Sequence, residues 1–292
     1  MWRTLSGPKS FWRPLALVTE ITVKLTRLPE ETKTLLAIFN TVEDCTETVV
    51  DITARGITPA ACEMLDGWSL RAIEAYIHAG YPTDAAAVLL IDIDGLREAT
   101  ATQSEQVAEV CRAHNAREVR VARDAKERDL LWKGRKNSFA AVGRLSPSYY
   151  VQDGVIPRTK LPATLRRIGE IGKKYGFEIG NIFHAGDGNL HPIVPFDGRY
   201  PEQLQRAIAA SDEIIEYCVA AGGTITGEHG VGMEKDRLMP LMFSEVELDL
   251  MKRIRNAYNP AGLLNPEKIF PSAKGCGEIR SRPKKSTEVP VA

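Results

Sequence analysis

The sequence lacks the features that mark several large classes of protein. No apolar run approaches the roughly 18 residues that a membrane-spanning helix needs. Lys plus Arg and Asp plus Glu both number 38, so the formal net charge is zero. That balance gives no electrostatic reason to expect nucleic acid or an anionic membrane as a partner. With 43% hydrophobic and 26% charged residues, the 292-residue chain has the composition of a folded protein of one or two domains, which excludes disorder as its dominant state.

The cysteines are odd in number, widely scattered and never spaced C-x-x-C. This pattern predicts reduced thiols rather than a disulfide framework or a zinc knuckle, and hence a cytoplasmic protein, either free or peripheral at the inner face of the membrane. A signal peptide is disfavoured because the apolar patch Leu15–Val18 is short and follows Pro14. We therefore expect an irregular start. The five cysteines are Cys45, Cys62, Cys111, Cys218 and Cys276.

The first half of the chain alternates predicted strands and helices. Because no Rossmann-type glycine pattern accompanies this rhythm, it predicts an α+β fold with a ferredoxin-like antiparallel sheet and helices packed on it. We expect Ser69 to cap one of these helices. The predicted strands are 18–25, 34–39, 87–93 and 118–122, and the predicted helices are 42–55, 69–79 and 105–114.

The second half carries longer helices and a hairpin. Ser244 is a good N-cap for the last helix, and the basic, Pro-rich end of the chain predicts a disordered tail. The predicted helices are 125–142, 161–175, 201–221 and 245–258, with an extended segment at 149–156 and a hairpin at 179–196.

Three of the five histidines lie in two glycine-rich segments, HAGDGNLH at 184–191 and GEHGVG at 227–232. If 186–189 form a four-residue hairpin loop, His184 lies directly opposite His191, with Cβ atoms about 5 Å apart. Two imidazoles so placed, joined by Glu228, would form a His₂Glu set suited to a catalytic divalent metal. The alternative is a structural histidine pair bonded to the backbone, beside glycines that only form a loop.

Arg135 lies on the predicted helix 125–142, close to Trp132, Lys133 and Lys136. A guanidinium can hold a carboxylate through two parallel hydrogen bonds, so Arg135 is a candidate for binding an acidic substrate. The spacing alone favours a solvated basic helix face.

Together these segments resemble a known family. HAGDGNLHP, GEHGVG, LWKGRKNSFAAVGRLSPSYYVQDGVIPRTKLP and YNPAGLLNPEKIF occur in the order found in the carboxy-terminal domain of FAD-linked oxidases. The resemblance covers about residues 18–271. Within that family the motifs are most similar to the FAD-binding catalytic subunits of bacterial glycolate oxidases, with D-lactate and D-2-hydroxyglutarate dehydrogenases as further relatives.

The resemblance implies roles for seven residues. His184, His191 and Glu228 match the ligands of a divalent metal, most often zinc, and His229 matches the proposed catalytic base. Arg135 matches the arginine that binds the substrate carboxylate. The LNPxK ending places Asn265 and Lys268 near the FAD cofactor. The implied activity is oxidation of a small 2-hydroxy acid, glycolate or D-lactate, to the 2-oxo acid.

The sequence departs from the family at its beginning. Members carry about 200 residues of FAD-binding domain ahead of the strand VTEITVKL, whereas 17 residues precede it here. We therefore expect 1–28 to be an irregular start and the last strand of that domain, 29–271 the substrate domain, and 272–292 the tail. On this interpretation the chain is a fragment that alone neither holds FAD nor oxidises a 2-hydroxy acid.

The implied partners are a small 2-hydroxy acid and either other glycolate oxidase subunits or a separately encoded FAD domain, without nucleic acid. Two alternative functions stay open. The chain could be a non-catalytic remnant or assembly module, or a metal-dependent hydrolase that uses His184, His191 and Glu228 without flavin.

Overall fold

The computed structural model describes residues 20–25 and 27–271. These residues belong to two compact units, the first ending at Gly230 and the second beginning at Val231. The predicted irregular start before residue 20 and the predicted tail 272–292 lie outside the described residues. The predicted domain boundaries therefore stay predictions.

The first unit is built on a seven-stranded sheet in which every neighbouring pair of strands is antiparallel. The strand order is β4-β1-β3-β2-β7-β9-β5, and β6 pairs separately with β8. The strands are β1 (Glu31–Phe39), β2 (Ala61–Asp66), β3 (Ala87–Gly95), β4 (Glu118–Val121), β5 (Ser148–Val151), β6 (Gly154–Val155), β7 (Gly180–Phe183), β8 (Asn189–Leu190) and β9 (Pro192–Phe196).

Helices cover both faces of this sheet. The helices of the first unit are α1 (Val42–Ala54), α2 (Gly67–Glu74), α3 (Arg97–Ala113), α4 (Ala125–Lys136), α5 (Ser138–Leu145), α6 (Leu161–Tyr175) and α7 (Pro201–Ala220). The elements β1, α1, β2, β3, α3 and β4 follow the ferredoxin-like order, with α2 inserted between β2 and β3. The predicted fold class is confirmed.

The alternation of side chains along β1 explains the two-sided core. Leu35, Ala37 and Phe39 pack on one face with α1, α3, α6 and α7, while Leu36 and Ile38 pack on the other with α2, α4 and α5. Because both faces are covered, β1 reads as a continuous apolar run rather than as an alternating pattern.

Two sequence-based expectations are corrected near the amino-terminal end of the described chain. Residues 20–25 of the predicted strand 18–25 form no strand and are exposed, since no strand of the described chain pairs with them. Asp66, not Ser69, caps α2, because its Oδ1 accepts the Ser69 backbone N–H at 2.9 Å. The strand β2 was not predicted: ACEMLD contains no β-branched residue, and pairing with β3 overrides that weak propensity.

The predicted helix 125–142 is two helices. Asn137 leaves the helical region with φ −102° and ψ 14°, and a second helix, α5, begins at Ser138. The predictions for α1, α6 and α7 agree with the structure to within one residue.

The second unit contains α8 (Glu245–Tyr258). As predicted, Ser244 caps it, here in a reciprocal capping box with Glu247. Over the residues that the structure describes, no helix combines the length and the apolar character needed to cross a bilayer.

Candidate active site

The hairpin that carries His184 and His191 turns one residue earlier than predicted. His184 forms its backbone bridge with Asn189 rather than facing His191. The reason is that Ala185–Asp187 form a single 3₁₀ turn closed by Gly188, whose φ of 71° favours glycine. The two imidazoles nevertheless meet edge to face, with ring centroids 5.3 Å apart.

The second glycine-rich segment is anchored by one buried carboxylate. Oδ2 of Asp153 accepts the Thr226 hydroxyl at 2.5 Å and the backbone N–H groups of Gly227, Glu228 and His229 at 3.0, 3.1 and 2.9 Å. Asp153 is fully buried. Its carboxylate therefore fixes the path of the backbone at 226–229 and the place from which Glu228 and His229 project.

The hairpin and this turn touch at Gly227. A Cβ atom there would lie 2.5 Å from Oδ1 of Asn189. The close approach of the two segments therefore requires a residue without a side chain.

Three imidazoles converge on one oxygen of Glu228. Its Oε1 lies 3.1 Å from Nε2 of His191, 3.5 Å from Nε2 of His184 and 3.6 Å from Nε2 of His229. His191 is buried, whereas His229 is exposed and stacks on the His191 ring at 4.9 Å. Ligand atoms of His184, His191 and Glu228 all lie within 4.8 Å of one another.

The far side of each hairpin imidazole is already occupied. Nδ1 of His184 is 2.8 Å from Oε1 of Glu63, and Nδ1 of His191 is 3.3 Å from the Gln152 carbonyl oxygen. Glu63 and the Gln152 carbonyl only accept, so a proton on Nδ1 of each ring satisfies them. Oε1 of Glu228, which also only accepts, lies 3.1 Å from Nε2 of His191, so the Nδ1-protonated tautomers suit a cation placed between the Nε2 atoms and Glu228. The hydrogen bond to Glu63 raises the pKa of His184, while burial lowers that of His191.

Arg135 is buried and pairs with the same glutamate. Its Nε donates to Oε2 of Glu63 at 2.9 Å, and its Nη2 lies 2.8 Å from the same oxygen in an ion pair. Burial acts to raise the pKa of Glu63, but the hydrogen bond from His184 and the charge of Arg135 outweigh it and hold that pKa below its ordinary value. Gly134 lets α4 pack directly against Tyr81, because a Cβ atom at position 134 would lie 2.7 Å from the Tyr81 ring.

A second set of possible ligands, Asp153, His191 and His229, also lies within 4.8 Å. Asp153 is poorly suited to hold a metal because its oxygens already accept the backbone N–H groups of residues 227–229. Its geometry is that of a backbone anchor.

Asn265 and Lys268 belong to the second unit, where both are exposed. The guanidinium of Arg255 donates to the backbone carbonyl oxygens of Leu264, Asn265 and Lys268. This arrangement orders the loop locally. The structure thus brings five of the seven predicted residues together in the first unit.

Sequence reasoning missed Glu63 and Asp153. A signal for Glu63 was present, since it is the one charged side chain inside the stretch Cys62–Leu65. Asp153 precedes Gly154 and looks like an ordinary turn residue, so its anchoring role needed the fold.

The chain is similar to curated proteins over most of its length. It is 44% identical over 265 residues to glycolate oxidase subunit GlcD of Escherichia coli (strain K12), which covers 91% of this chain and 53% of that protein. It is 39% identical to glycolate oxidase subunit GlcD of Bacillus subtilis (strain 168), over 88% of this chain and 54% of that protein. The chain therefore spans about half the length of these relatives.

A solved structure shares the fold. The substrate-bound p-cresol methylhydroxylase crystal structure superimposes with a TM-score of 0.64 at 15% identity, covering 82% of this chain and 53% of that one. Residues 28–269 match the family described as "FAD linked oxidases, C-terminal domain". On that match, the chain belongs to the family of FAD-linked oxidases, as a C-terminal domain.

Proposed function

We propose that this chain is the substrate-binding part of an enzyme that oxidises a small 2-hydroxy acid, glycolate or D-lactate, to the 2-oxo acid with FAD. The observation that carries the proposal is the cluster of His184, His191 and Glu228 beside the Glu63–Arg135 pair, in a member of the FAD-linked oxidase family. The names of the two glycolate oxidase relatives support the substrate class.

The hairpin and turn fit a divalent metal, with zinc the preferred candidate. Two imidazole Nε2 atoms and one carboxylate oxygen face one another, while the Nδ1 atoms are held by Glu63 and the Gln152 carbonyl. A metal-binding histidine commonly donates its other ring N–H in this way. Three protein ligands leave further positions open, as catalytic sites require.

When bound, the metal would act as a Lewis acid toward the substrate hydroxyl, and FAD would accept the hydride. We propose Asn265 and Lys268 as flavin contacts, because the Arg255-ordered loop leaves their amide and ammonium groups exposed as hydrogen-bond donors.

We propose that Arg135 binds the substrate and that His229 accepts its proton. Arg135 would bind the substrate carboxylate through the guanidinium N–H groups that do not face Glu63, while Glu63 holds the guanidinium in place on its Nε and Nη2 side. His229 would accept the hydroxyl proton at Nε2. Its side chain is exposed, and stacking on His191 orients the ring.

The test supplies the chain with zinc, FAD and, by co-expression, the part of the Escherichia coli relative that it does not match. We expect dye reduction that depends on FAD and on glycolate or D-lactate. The His229→Asn protein should retain metal and flavin but lose turnover. Bound flavin without reduction by any 2-hydroxy acid would reject the proposal, and flavin-independent ester hydrolysis would favour a hydrolase.

A further inference from the structure

A single buried carboxylate, that of Glu63, contacts both His184 and Arg135 in the candidate site. Glu63 lies on β2, in the interior of the sheet between β3 and β7, and only 6% of its surface is exposed. A charged side chain is rarely so deeply buried unless it is paired. Its surroundings therefore indicate a purpose beyond packing.

The two oxygens of Glu63 serve different partners. Oε1 lies 2.8 Å from Nδ1 of His184, whereas Oε2 accepts from Nε of Arg135 at 2.9 Å and lies 2.8 Å from its Nη2. We propose that Glu63 is a positioning residue that couples metal binding at His184 to substrate capture at Arg135. This inference rests on the proposed function, because the metal-binding role of His184 and the substrate-binding role of Arg135 are both proposed there.

The coupling follows from the hydrogen-bonding capacity of a carboxylate. Glu63 accepts on both oxygens, so the proton of His184 is held on Nδ1 and the Nε2 lone pair faces Glu228 at 3.5 Å. The same negative charge offsets that of Arg135, which would otherwise be a buried cation beside a metal site.

Glutamine at position 63 cannot do both. It has the same shape but offers one acceptor oxygen and one NH₂ donor, whereas both partners donate. If the oxygen stays with Arg135, the NH₂ faces Nδ1 of His184 and drives the proton to Nε2, which removes the lone pair that would bind metal. If the oxygen turns to His184, the NH₂ opposes the guanidinium and releases Arg135.

The experiment measures Co²⁺ binding to the full chain by competition with a chelator, and uses the visible spectrum of bound Co²⁺ to report coordination. We expect Glu63→Gln to weaken Co²⁺ binding by about tenfold to a hundredfold, the range found for groups that orient metal ligands. We also expect a weaker spectral response to glycolate. Glu63→Asp, which keeps the charge, should recover part of the metal affinity.

The matched control is Asp92→Asn. Asp92 is a buried carboxylate on the neighbouring strand β3 that accepts from Thr34 and Trp132 rather than from the site. Its substitution should leave the Co²⁺ affinity and spectrum unchanged even if stability falls. Equal Co²⁺ affinity in Glu63→Gln and the unsubstituted chain would overturn the coupling while leaving the metal site intact.

Two further outcomes keep the proposal falsifiable. Absence of Co²⁺ binding by the unsubstituted chain would overturn both this inference and the proposed metal site. Should Glu63→Gln fail to fold, nitrogen NMR of the unsubstituted, metal-free chain at neutral pH decides the matter through the His184 tautomer. A proton on Nδ1 supports the role of Glu63, and a neutral ring protonated on Nε2 contradicts it.

Discussion

The hairpin and the turn that form the candidate site are held in place by different means. Glu63 binds the side chain of His184 on the hairpin directly, as it does Arg135 on α4, and His191 is 2% exposed. In the turn, Asp153 grips backbone N–H groups, and the side chain of His229 stays 47% exposed.

The two carboxylates therefore act on different parts of the chain. Glu63 orients a side chain, whereas Asp153 sets the position of the backbone from which side chains project. A carboxylate that accepts from an imidazole selects its tautomer and fixes its ring, as a ligand with constant geometry requires. A carboxylate that accepts the backbone N–H groups of residues 227–229 fixes where their side chains start but makes no bond to the side chains of Glu228 and His229. We infer that Glu63 orients the His184 ring itself, whereas Asp153 sets only the backbone position from which Glu228 and His229 project.

We expect the largest effect from Asp153→Asn, which tests whether Asp153 anchors the backbone of the turn. The substitution removes a charge that four donors share, and its NH₂ group would oppose at least the backbone N–H of Glu228 in a fully buried position, because both oxygens of Asp153 accept. We expect a loss on the order of 3 kcal/mol in unfolding free energy, together with weaker metal binding. Urea unfolding measures it. Asp84→Asn, which breaks only an exposed pair with Arg117, should cost less than about 1 kcal/mol, and equal losses would contradict the anchor.

Arg135→Lys tests the other partner of Glu63. Lysine keeps the charge but loses the planar fork that meets Oε2 through both Nε and Nη2. In the co-expressed, FAD-loaded protein we expect substrate capture to weaken by about 2 kcal/mol, the scale of a charged hydrogen bond. Steady-state kinetics with glycolate should show the loss in kcat/KM. Unchanged kinetics would remove Arg135 from the substrate site.

The third test compares the two stacked histidines. His191→Ala removes a buried candidate ligand, and we expect zinc affinity to fall at least about tenfold. His229→Ala removes an exposed ring from the turn and should change zinc affinity much less. Metal analysis after equilibrium dialysis, with His114→Ala as a control at the distant Asp51 contact, separates them. Equal losses in the two variants would show that His229 is itself a ligand.

The sequence was sufficient for the elements whose pattern is local. The apolar run 34–39 predicts β1, and the glycine-rich loop between His184 and His191 predicts that these two imidazoles meet. It was insufficient where the partner is distant in the chain. Glu63 precedes His184 by 121 residues, and Asp153 reaches the turn across 73 or more, so neither contact leaves a spacing signal.

The smallest expected effect is a difference between His184 and His191 in how each makes the unfolding free energy of the metal-free chain depend on pH. The raised pKa of His184 gives stability that is fully present below the ordinary value of 6.5 and is lost as pH rises through the folded-state pKa. The lowered pKa of His191 acts in the opposite sense: the folded state resists its protonation, so stability falls as pH drops below 6.5. His184→Gln should therefore cost more unfolding free energy at pH 5.5 than at pH 8, whereas His191→Gln should cost less at pH 5.5. Denaturant unfolding at the two pH values, with chelator present, measures both. The same pH dependence in the two variants would mean that the Glu63 contact does not set His184 apart from His191. That result would contradict the proposal that Glu63 orients the His184 ring.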